Sequence, residues 1–124
     1  MLRVSQLAAV ALALWTLPAF GGQEYFGAIA YSPKSGAHGW AKDHKTRAAA
    51  EKAALTACRK HAQDCRSAVW FKNGCGALVV NSKRRYYWGW GTTQNLADDA
   101  ATKACSKKGD GCKVTVQICT TGAG

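Results

Sequence analysis

Histidines and carboxylates are the side chains of this sequence best suited to acid–base catalysis, and they are few. The three histidines, His38, His44 and His61, lie in no recognisable zinc motif and accompany no G-x-S-x-G nucleophile turn. The chain has seven acidic residues, and their spacing does not mark out the pair of carboxylates that a glycosidase needs. We therefore predict no catalytic residue, no metal site and no cofactor. An enzyme with an unrecognised site remains a minor alternative.

The six cysteines are the other reactive side chains, and their even number indicates disulfide bonds. They are Cys58, Cys65, Cys75, Cys105, Cys112 and Cys119. A structural zinc site requires closely spaced ligands such as C-x-x-C, which this sequence lacks. Cysteines that are paired cannot serve as nucleophiles, because the thiolate is the reactive species. Six cysteines permit fifteen pairings, so a choice among them needs a further pattern.

An internal repeat supplies that pattern, because four features occur twice in the same order. They are an apolar segment at 26–30 and 75–79, a Gly-Trp pair at 39–40 and 89–90, an alanine-rich segment at 46–58 and 93–105, and two cysteines with six residues between them. The repeat predicts the pairs Cys58–Cys65 and Cys105–Cys112, which leaves Cys75 with Cys119. It also predicts one duplicated domain over residues 22–124, with halves at about 24–73 and 74–120.

Each half is expected to contain two strands, a helix and a third strand. In the last strand Val114, Val116 and Ile118 alternate with polar residues, which is the period of a half-buried strand. Thr46 and Thr93 are suited to cap the two helices. Alanines at i, i+4 spacing give each helix a face of small side chains that can lie close to a sheet. The sequence thus predicts an α+β fold, stapled by disulfides, in which an antiparallel sheet is packed by two alanine-rich helices.

An aromatic row before the second helix is the first candidate binding feature. It comprises Tyr86, Tyr87, Trp88 and Trp90, with Trp40 at the matching place in the first half. On a strand, Tyr86, Trp88 and Trp90 share one face. Either these side chains fill the core beneath the helices, or they are exposed and stack on sugar rings or anchor a protein interface. We favour the core interpretation, because the alanine faces supply little bulk of their own.

Basic residues at two predicted hairpin tips are the second candidate. Lys83, Arg84 and Arg85 occupy the second tip, and Lys34 lies at the equivalent first tip. Arginine can bind a carboxylate or a phosphate through two hydrogen bonds. The alternative interpretation is a simple solvated turn, and the sequence leaves both interpretations open.

The N-terminal segment predicts export. Residues 1–21 combine Arg3, an apolar run at 7–17 and small residues before a cleavage point after Gly21, which is the order of a secretory signal peptide. The apolar run is short for a bilayer core of about 30 Å, so we expect no transmembrane span after cleavage. The formal charge of +10 falls to +9 when Arg3 is removed, and this charge favours anionic partners. Export makes nucleic acid an unexpected partner, and the predicted location is periplasmic or extracellular.

Several of these segments together resemble a known bacterial family. They are Y-F-G-A-I-A-Y at 25–31, Gly39-Trp40, the alanine-rich segment ending in Cys58, Asp64-Cys65, and W-F-K-N-G-C-G-A-L at 70–78. This set resembles the exported domain of unknown function 4189, and the resemblance covers essentially the whole mature chain. It implies a small exported protein. It transfers no catalytic residue, because the family has no assigned activity.

Two functions fit these features. The first is a secreted or periplasmic, non-enzymatic binding protein for an unknown protein partner, acting as an inhibitor or a host-interaction factor. The alternative is an envelope module that binds anionic glycan, lipid or peptidoglycan through basic and aromatic residues. Salt separates the two, because polymer binding through lysine and arginine weakens steeply as salt rises. The strand order and the oligomeric state do not follow from the sequence.

Overall fold

A computed structural model of the chain describes residues 23–124, and the predicted signal peptide at 1–21 lies outside the described residues. The elements follow the order strand, strand, helix, strand in each half, and this confirms the predicted α+β class. They are β1 (Phe26–Tyr31), β2 (His38–His44), α1 (Arg47–Arg59), β3 (Arg66–Lys72), β4 (Cys75–Val80), β5 (Tyr86–Gly91), α2 (Gln94–Ser106) and β6 (Lys113–Cys119).

The strands form two antiparallel sheets of three strands, where the sequence predicted an antiparallel sheet without a strand order. The orders are β2-β1-β3 and β5-β4-β6. The first strand of each half is central, because it pairs with its hairpin partner on one side and with the strand after the helix on the other. Strands β2, β3, β5 and β6 are therefore edge strands.

Each helix begins at the predicted threonine cap and lies unusually close to its sheet. The hydroxyl oxygens of Thr46 and Thr93 accept hydrogen bonds from backbone N–H groups three residues on, at 3.1 and 3.2 Å. Glycines lie beneath the helices. A Cβ on Gly39 would lie 2.3 Å from the backbone nitrogen of Cys58, and one on Gly89 would lie 2.3 Å from the carbonyl oxygen of Ala97. Backbone therefore packs on backbone here, and no bulky side chain fits between helix and sheet.

The favoured prediction that the aromatic row fills the core beneath the helices is wrong for its tryptophans. Trp40, Trp88 and Trp90 are 48%, 49% and 59% exposed. Glycines 39, 89 and 91 occupy the buried, helix-facing positions of β2 and β5. Because strand side chains alternate between faces, the neighbouring tryptophans are directed away from the helices.

The main apolar core lies between the two sheets. Its buried members are Ile29, Tyr31, Val69, Phe71, Leu78 and Val116. The ring of Phe71 covers the central strands of both sheets, since a Cβ on Gly27 or on Gly76 would lie 2.4 Å from this ring. Two smaller clusters lie beneath α1 and α2. The domain therefore has four layers in the order helix, sheet, sheet, helix.

Three disulfides link the elements, and they are the pairs that the matched spacing of the two halves predicts. Cys58–Cys65 and Cys105–Cys112 each join the end of a helix to the residues before the next strand, with Cα atoms 6.1 Å apart. Cys75–Cys119 joins β4 to β6, with Cα atoms 4.0 Å apart. All six cysteines belong to the described residues and all are paired.

Candidate functional site

An apolar groove of about 470 Å³ opens between the edge strands β3 and β5. Tryptophans form its walls: Trp88 and Trp90 stand on β5, and Trp70, 38% exposed, stands on β3. Phe26 and Lys72 contribute at one end, and Lys72 is the single charged side chain of the lining. We call this site the aromatic groove.

The groove follows the outer edge of β3. Five consecutive residues, 68–72, line it, although successive side chains of a strand point to opposite faces. A groove can contact all five only by running along the edge of the strand, where both sets of side chains and the backbone are within reach. The aromatic groove therefore lies against the edge of β3 that pairs with no strand within residues 23–124.

Two cations order the aromatic rings at the β3 wall. The guanidinium carbon of Arg47 lies 4.7 Å from the centroid of the Trp70 ring. The ammonium of Lys72 lies 5.9 Å from the centroid of the Phe26 ring. The two rings stack, with centroids 6.2 Å apart and planes inclined by 27°. Exposed cation–π contacts of this kind contribute about 0.5–1 kcal/mol each, so they orient the rings more than they stabilise the fold.

The corresponding place in the second half has different chemistry. Phe26 pairs in register with Lys72 across β1 and β3, whereas the corresponding pair across β4 and β6 is the disulfide Cys75–Cys119. At the site that corresponds to Arg47 and Trp70, the second half has a hydrogen-bonded cluster. There Asp98 accepts hydrogen bonds from the side-chain amides of Gln94 and Gln117, at 3.0 and 2.5 Å. The aromatic and cationic cluster is therefore particular to the first half.

The opposite pair of edge strands, β2 and β6, is clasped by hydrogen bonds. The backbone N–H and the hydroxyl of Thr121, just after β6, donate to the carboxylate of Asp43 in β2, at 2.8 and 2.5 Å. These two bonds lower the pKa of Asp43, because they stabilise its charged form. The two sheets are thus linked by side-chain hydrogen bonds at the β2–β6 edges, whereas at the β3–β5 edges they line the groove.

The two hairpin tips meet and bring the four predicted basic residues together. A guanidinium nitrogen of Arg84 donates to the backbone carbonyl of Lys34. The Tyr31 hydroxyl donates to the carbonyl of Arg84, at 3.3 Å. Lys34, Lys83, Arg84 and Arg85 are all exposed. We call this cluster the basic tip.

Buried and half-buried polar side chains hold the basic tip in shape. The side-chain oxygen of Asn81 accepts from the backbone N–H groups of Lys83 and Arg85, at 2.9 and 3.0 Å. On the first hairpin, the carboxylate of Asp64 accepts from the Ser32 hydroxyl and from the Lys34 N–H group. The hydrogen bond from Ser32 is the larger cause of the lowered pKa of Asp64. These contacts fix the backbone from which the cations project.

The predicted binding residues thus divide between several places. Trp88 and Trp90 lie in the aromatic groove, whereas Trp40 lies on β2 outside its lining. Tyr86 packs against the core between the sheets, and Tyr87 packs against the cluster beneath α2.

Sequence reasoning missed four residues of the β3 side of the groove: Phe26, Arg47, Trp70 and Lys72. Strand alternation places Val69 and Phe71 on one face of β3 and Trp70 on the other. The sequence does not say which face is buried, since residues 68–71 are all apolar, and the structure places Val69 and Phe71 in the core. Asn81 had a local signal as well, since asparagine side chains in turns accept from the backbone N–H two residues on. Asp64 carries no such signal, because its donors, Ser32 and Lys34, lie 32 and 30 residues away in sequence.

Two further observations bear on function. Within residues 23–124, no group of three or more histidine, cysteine or acidic side chains is placed to hold a metal ion. In the same part of the chain, no helix has the length and apolar character needed to cross a membrane.

The fold and the site define a class: a small α+β domain with three disulfides, two packed sheets and one aromatic groove. The chain belongs to the DUF4189 family, a domain of unknown function, which it matches over residues 26–119. It is 40% identical over 77 residues to the uncharacterized proteins Rv1813c of Mycobacterium tuberculosis and Mb1843c of Mycobacterium bovis. These alignments cover 62% of this chain and 50% of each relative, so the chain spans about half the length of the curated relatives it matches.

A solved structure is similar to nearly the whole chain. The NMR structure of Rv1813c from M. tuberculosis aligns with this chain at a TM-score of 0.58 and 31% sequence identity. The alignment covers 93% of this chain and 96% of the Rv1813c chain.

Proposed function

We propose that this is an exported, non-enzymatic binding protein that recognises a protein partner through the aromatic groove. The observation that carries the proposal is the groove itself, where Trp70, Trp88 and Trp90 line an apolar surface beside Phe26. Contiguous exposed apolar surface of this kind marks interaction sites, and tryptophan is enriched among the residues that dominate binding energy. The signal-like segment at 1–21 and the three disulfides support export, since disulfides persist in oxidising compartments.

The lining of the groove favours a protein over a sugar. A glycan presents many hydroxyl groups, and each one left without a partner on burial costs about 1–3 kcal/mol. The groove offers few side-chain partners for hydroxyls, namely the ammonium of Lys72 and the indole N–H groups. Apolar side chains of a protein partner can cover the aromatic rings without burying an unpaired hydroxyl, and its main chain can pair with the edge of β3 that has no strand partner within residues 23–124. We propose that a binding protein of this kind acts on its partner as an inhibitor or as a host-interaction factor.

The basic tip supports a second candidate function, which is binding of an anionic envelope polymer. Four exposed cations, Lys34, Lys83, Arg84 and Arg85, converge there, and arginine pairs with phosphate or carboxylate in a bidentate manner. This mode depends on charge, so it weakens steeply with salt, whereas binding in the apolar groove does not.

An affinity capture with matched variants tests the proposal. The oxidised protein is immobilised and exposed to envelope and secreted fractions of the producing bacterium and of its neighbours, and it is then washed at low and high salt. The test variant carries Trp88→Ala and Trp90→Ala. The control variant carries Trp40→Ala, which removes an equally exposed tryptophan outside the groove.

We expect one protein to remain bound at high salt to the native chain and to the control, and to be lost from the double variant. Loss of about 2 kcal/mol or more per central tryptophan corresponds to at least 30-fold weaker binding. Retention of glycan or lipid alone would reverse the ranking. In that case the triple replacement of Lys83, Arg84 and Arg85 by alanine should abolish retention, and the tryptophan variants should have no effect.

A further inference from the structure

The outer edge of β3 has no strand partner within residues 23–124. β3 pairs with β1 on its other side and is the last strand of its sheet. Ala68 forms a bulge, because Ile29 pairs with Val69 while the next residue of β1 pairs with Ser67. Beyond the bulge the register is regular from Val69 to Lys72. Alternate residues of such an edge direct N–H and C=O groups outward, so about four residues of β3 can receive another strand.

The groove would present apolar surface to both faces of an added strand. Strand side chains alternate, so one set would face the side between the sheets, toward Trp88 and Trp90. The other set would lie on the outer face, next to Trp70 and Phe26. An occupant that fits must therefore be extended and apolar on both faces over a few residues.

From Val69 toward the start of β3 at Arg66, the surroundings of the strand change from apolar to basic. β3 begins at Arg66, which pairs with Tyr31, and the hydroxyl of Tyr31 contacts the backbone of Arg84 in the basic tip. Three residues of strand separate Val69 from Arg66, which is about 10 Å. A strand that continues past Val69 therefore runs toward Arg66 and toward the end of the domain that carries the basic tip.

The direction of the occupant follows from the direction of β3. Antiparallel pairs are slightly more stable per residue and are the commoner kind. An antiparallel strand on β3 runs from Lys72 toward Val69 and then toward the basic tip. The cations would therefore meet the residues on the C-terminal side of the apolar segment.

We infer that the partner docks by strand addition: an extended segment of about four apolar residues pairs antiparallel with β3 at Val69–Lys72, and acidic residues directly after it bind the basic tip. This inference rests on the proposed function of the aromatic groove and specifies its ligand. Main-chain hydrogen bonds supply affinity in this mode of recognition, and the side-chain surfaces supply specificity.

Charge argues against a second copy of the chain as the occupant. Each copy carries a net charge of +9 without residues 1–21. Antiparallel pairing of two β3 edges, centred on Val69, would place Arg66 of one copy opposite Lys72 of the other, and like charges directly opposite destabilise a sheet. An acidic partner removes this repulsion.

Peptide display tests the inference. Random twelve-residue peptides are selected on the oxidised protein and counter-selected on the Trp88→Ala, Trp90→Ala variant, so that only groove-dependent binders remain. The strongest peptide is then synthesised with backbone N-methyl groups at either of the two alternate sets of positions in its apolar segment. A further version carries its acidic residues before the apolar segment instead of after it. Calorimetry measures each dissociation constant.

We expect enriched peptides to carry about four apolar residues followed by aspartate and glutamate. N-methylation of one alternate set should weaken binding about 30-fold, because it removes main-chain donors to β3, and the other set should change it less than about threefold. Moving the acidic residues to the N-terminal side should weaken binding about tenfold at low salt.

Equal losses from both N-methylated sets would overturn strand addition and leave the groove as a protein-binding site. Absence of any groove-dependent peptide would also overturn it, and the capture experiment then decides separately whether the groove binds a partner. A dimer in sedimentation that dissociates on Trp88→Ala, Trp90→Ala substitution would assign the β3 edge to a second copy and refute the acidic partner.

Discussion

Substitution of Gly89 by alanine should be the most damaging single methyl addition on β5. The new Cβ would lie 2.3 Å from the carbonyl oxygen of Ala97 and 2.5 Å from the backbone nitrogen of Ala101. Both atoms belong to the backbone of α2, so no side-chain rotation relieves the clash, and the helix must move away from the sheet. Overpacking of a well-packed site costs about 1–3 kcal/mol. We expect the upper end, about 3 kcal/mol, because α2 is also held at its C-terminal end by Cys105–Cys112.

Thermal unfolding followed by circular dichroism measures this effect. For a domain of about 100 residues, 1 kcal/mol corresponds to a change in Tm of about 4–8 °C. The expected fall for Gly89→Ala is therefore about 12–24 °C. Gly109→Ala is the matched control, since its Cβ would lie 3.4 Å from the side-chain nitrogen of Asn81 and meets no backbone. The control should change the Tm by less than about 4 °C.

If the two variants have the same Tm, the reasoning about close packing is refuted. Helix α2 could then move away from the sheet with no loss of stability. In that case close packing against Gly89 would not explain why Trp88 and Trp90 point away from the helix. A fall of the expected size would support the close-packing explanation, since a side chain at position 89 would then prevent α2 from lying against the helix-facing side of β5.

Three further predictions follow from the same contacts. Phe71→Ala should lower the free energy of unfolding by about 3–5 kcal/mol in urea, because its ring fills the space over two glycines of the central strands; a loss below about 1 kcal/mol would contradict that role. Removing Cys75–Cys119 should destabilise by about 4 kcal/mol and removing Cys58–Cys65 by about 2.5 kcal/mol, since the loops closed span 44 and 7 residues; equal losses in denaturant titrations would argue against the loop-length explanation. Asp43→Asn should destabilise the fold at neutral pH and progressively less below about pH 4. The hydrogen bonds from Thr121 lower the pKa of Asp43 in the folded state. The carboxylate therefore stabilises the fold above its unfolded pKa, and this stabilisation is lost as the pH falls through the folded pKa. A loss of stability in the variant that does not change with pH would refute this account.

Local chemistry made much of the fold predictable. Helix capping by Thr46 and Thr93 was predictable because it depends only on a backbone N–H three residues on, and the structure has both caps. Alternation at Val114, Val116 and Ile118 marks β6 because the strand period is a property of the backbone. The repeated spacing of the cysteines predicted two pairs, because a helix end and the start of the next strand bring residues seven apart into reach, and the third pair is formed by the two cysteines that remain.

The candidate site was predictable only in part. The basic residues of both tips were expected on exposed turns, and they are exposed. Their convergence depends on contacts such as that of Arg84 with Lys34, fifty residues apart in sequence, which no local pattern encodes. The tryptophans were expected in the core because their size suited the small helix faces. That expectation failed because glycines let the helices approach the sheets until no space remained.

The sequence by itself therefore determined the elements, their caps and the two short-range disulfides, since each depends on neighbours within a turn of helix, a strand or a short loop. The pair Cys75–Cys119 then followed as the remaining two cysteines. Tertiary structure alone decided which strands lie at the edges and which two edges line the groove. Those features depend on distances between elements: the approach of helix to sheet at Gly39 and Gly89, and the spacing between β3 and β5 once Phe71 has packed between the sheets.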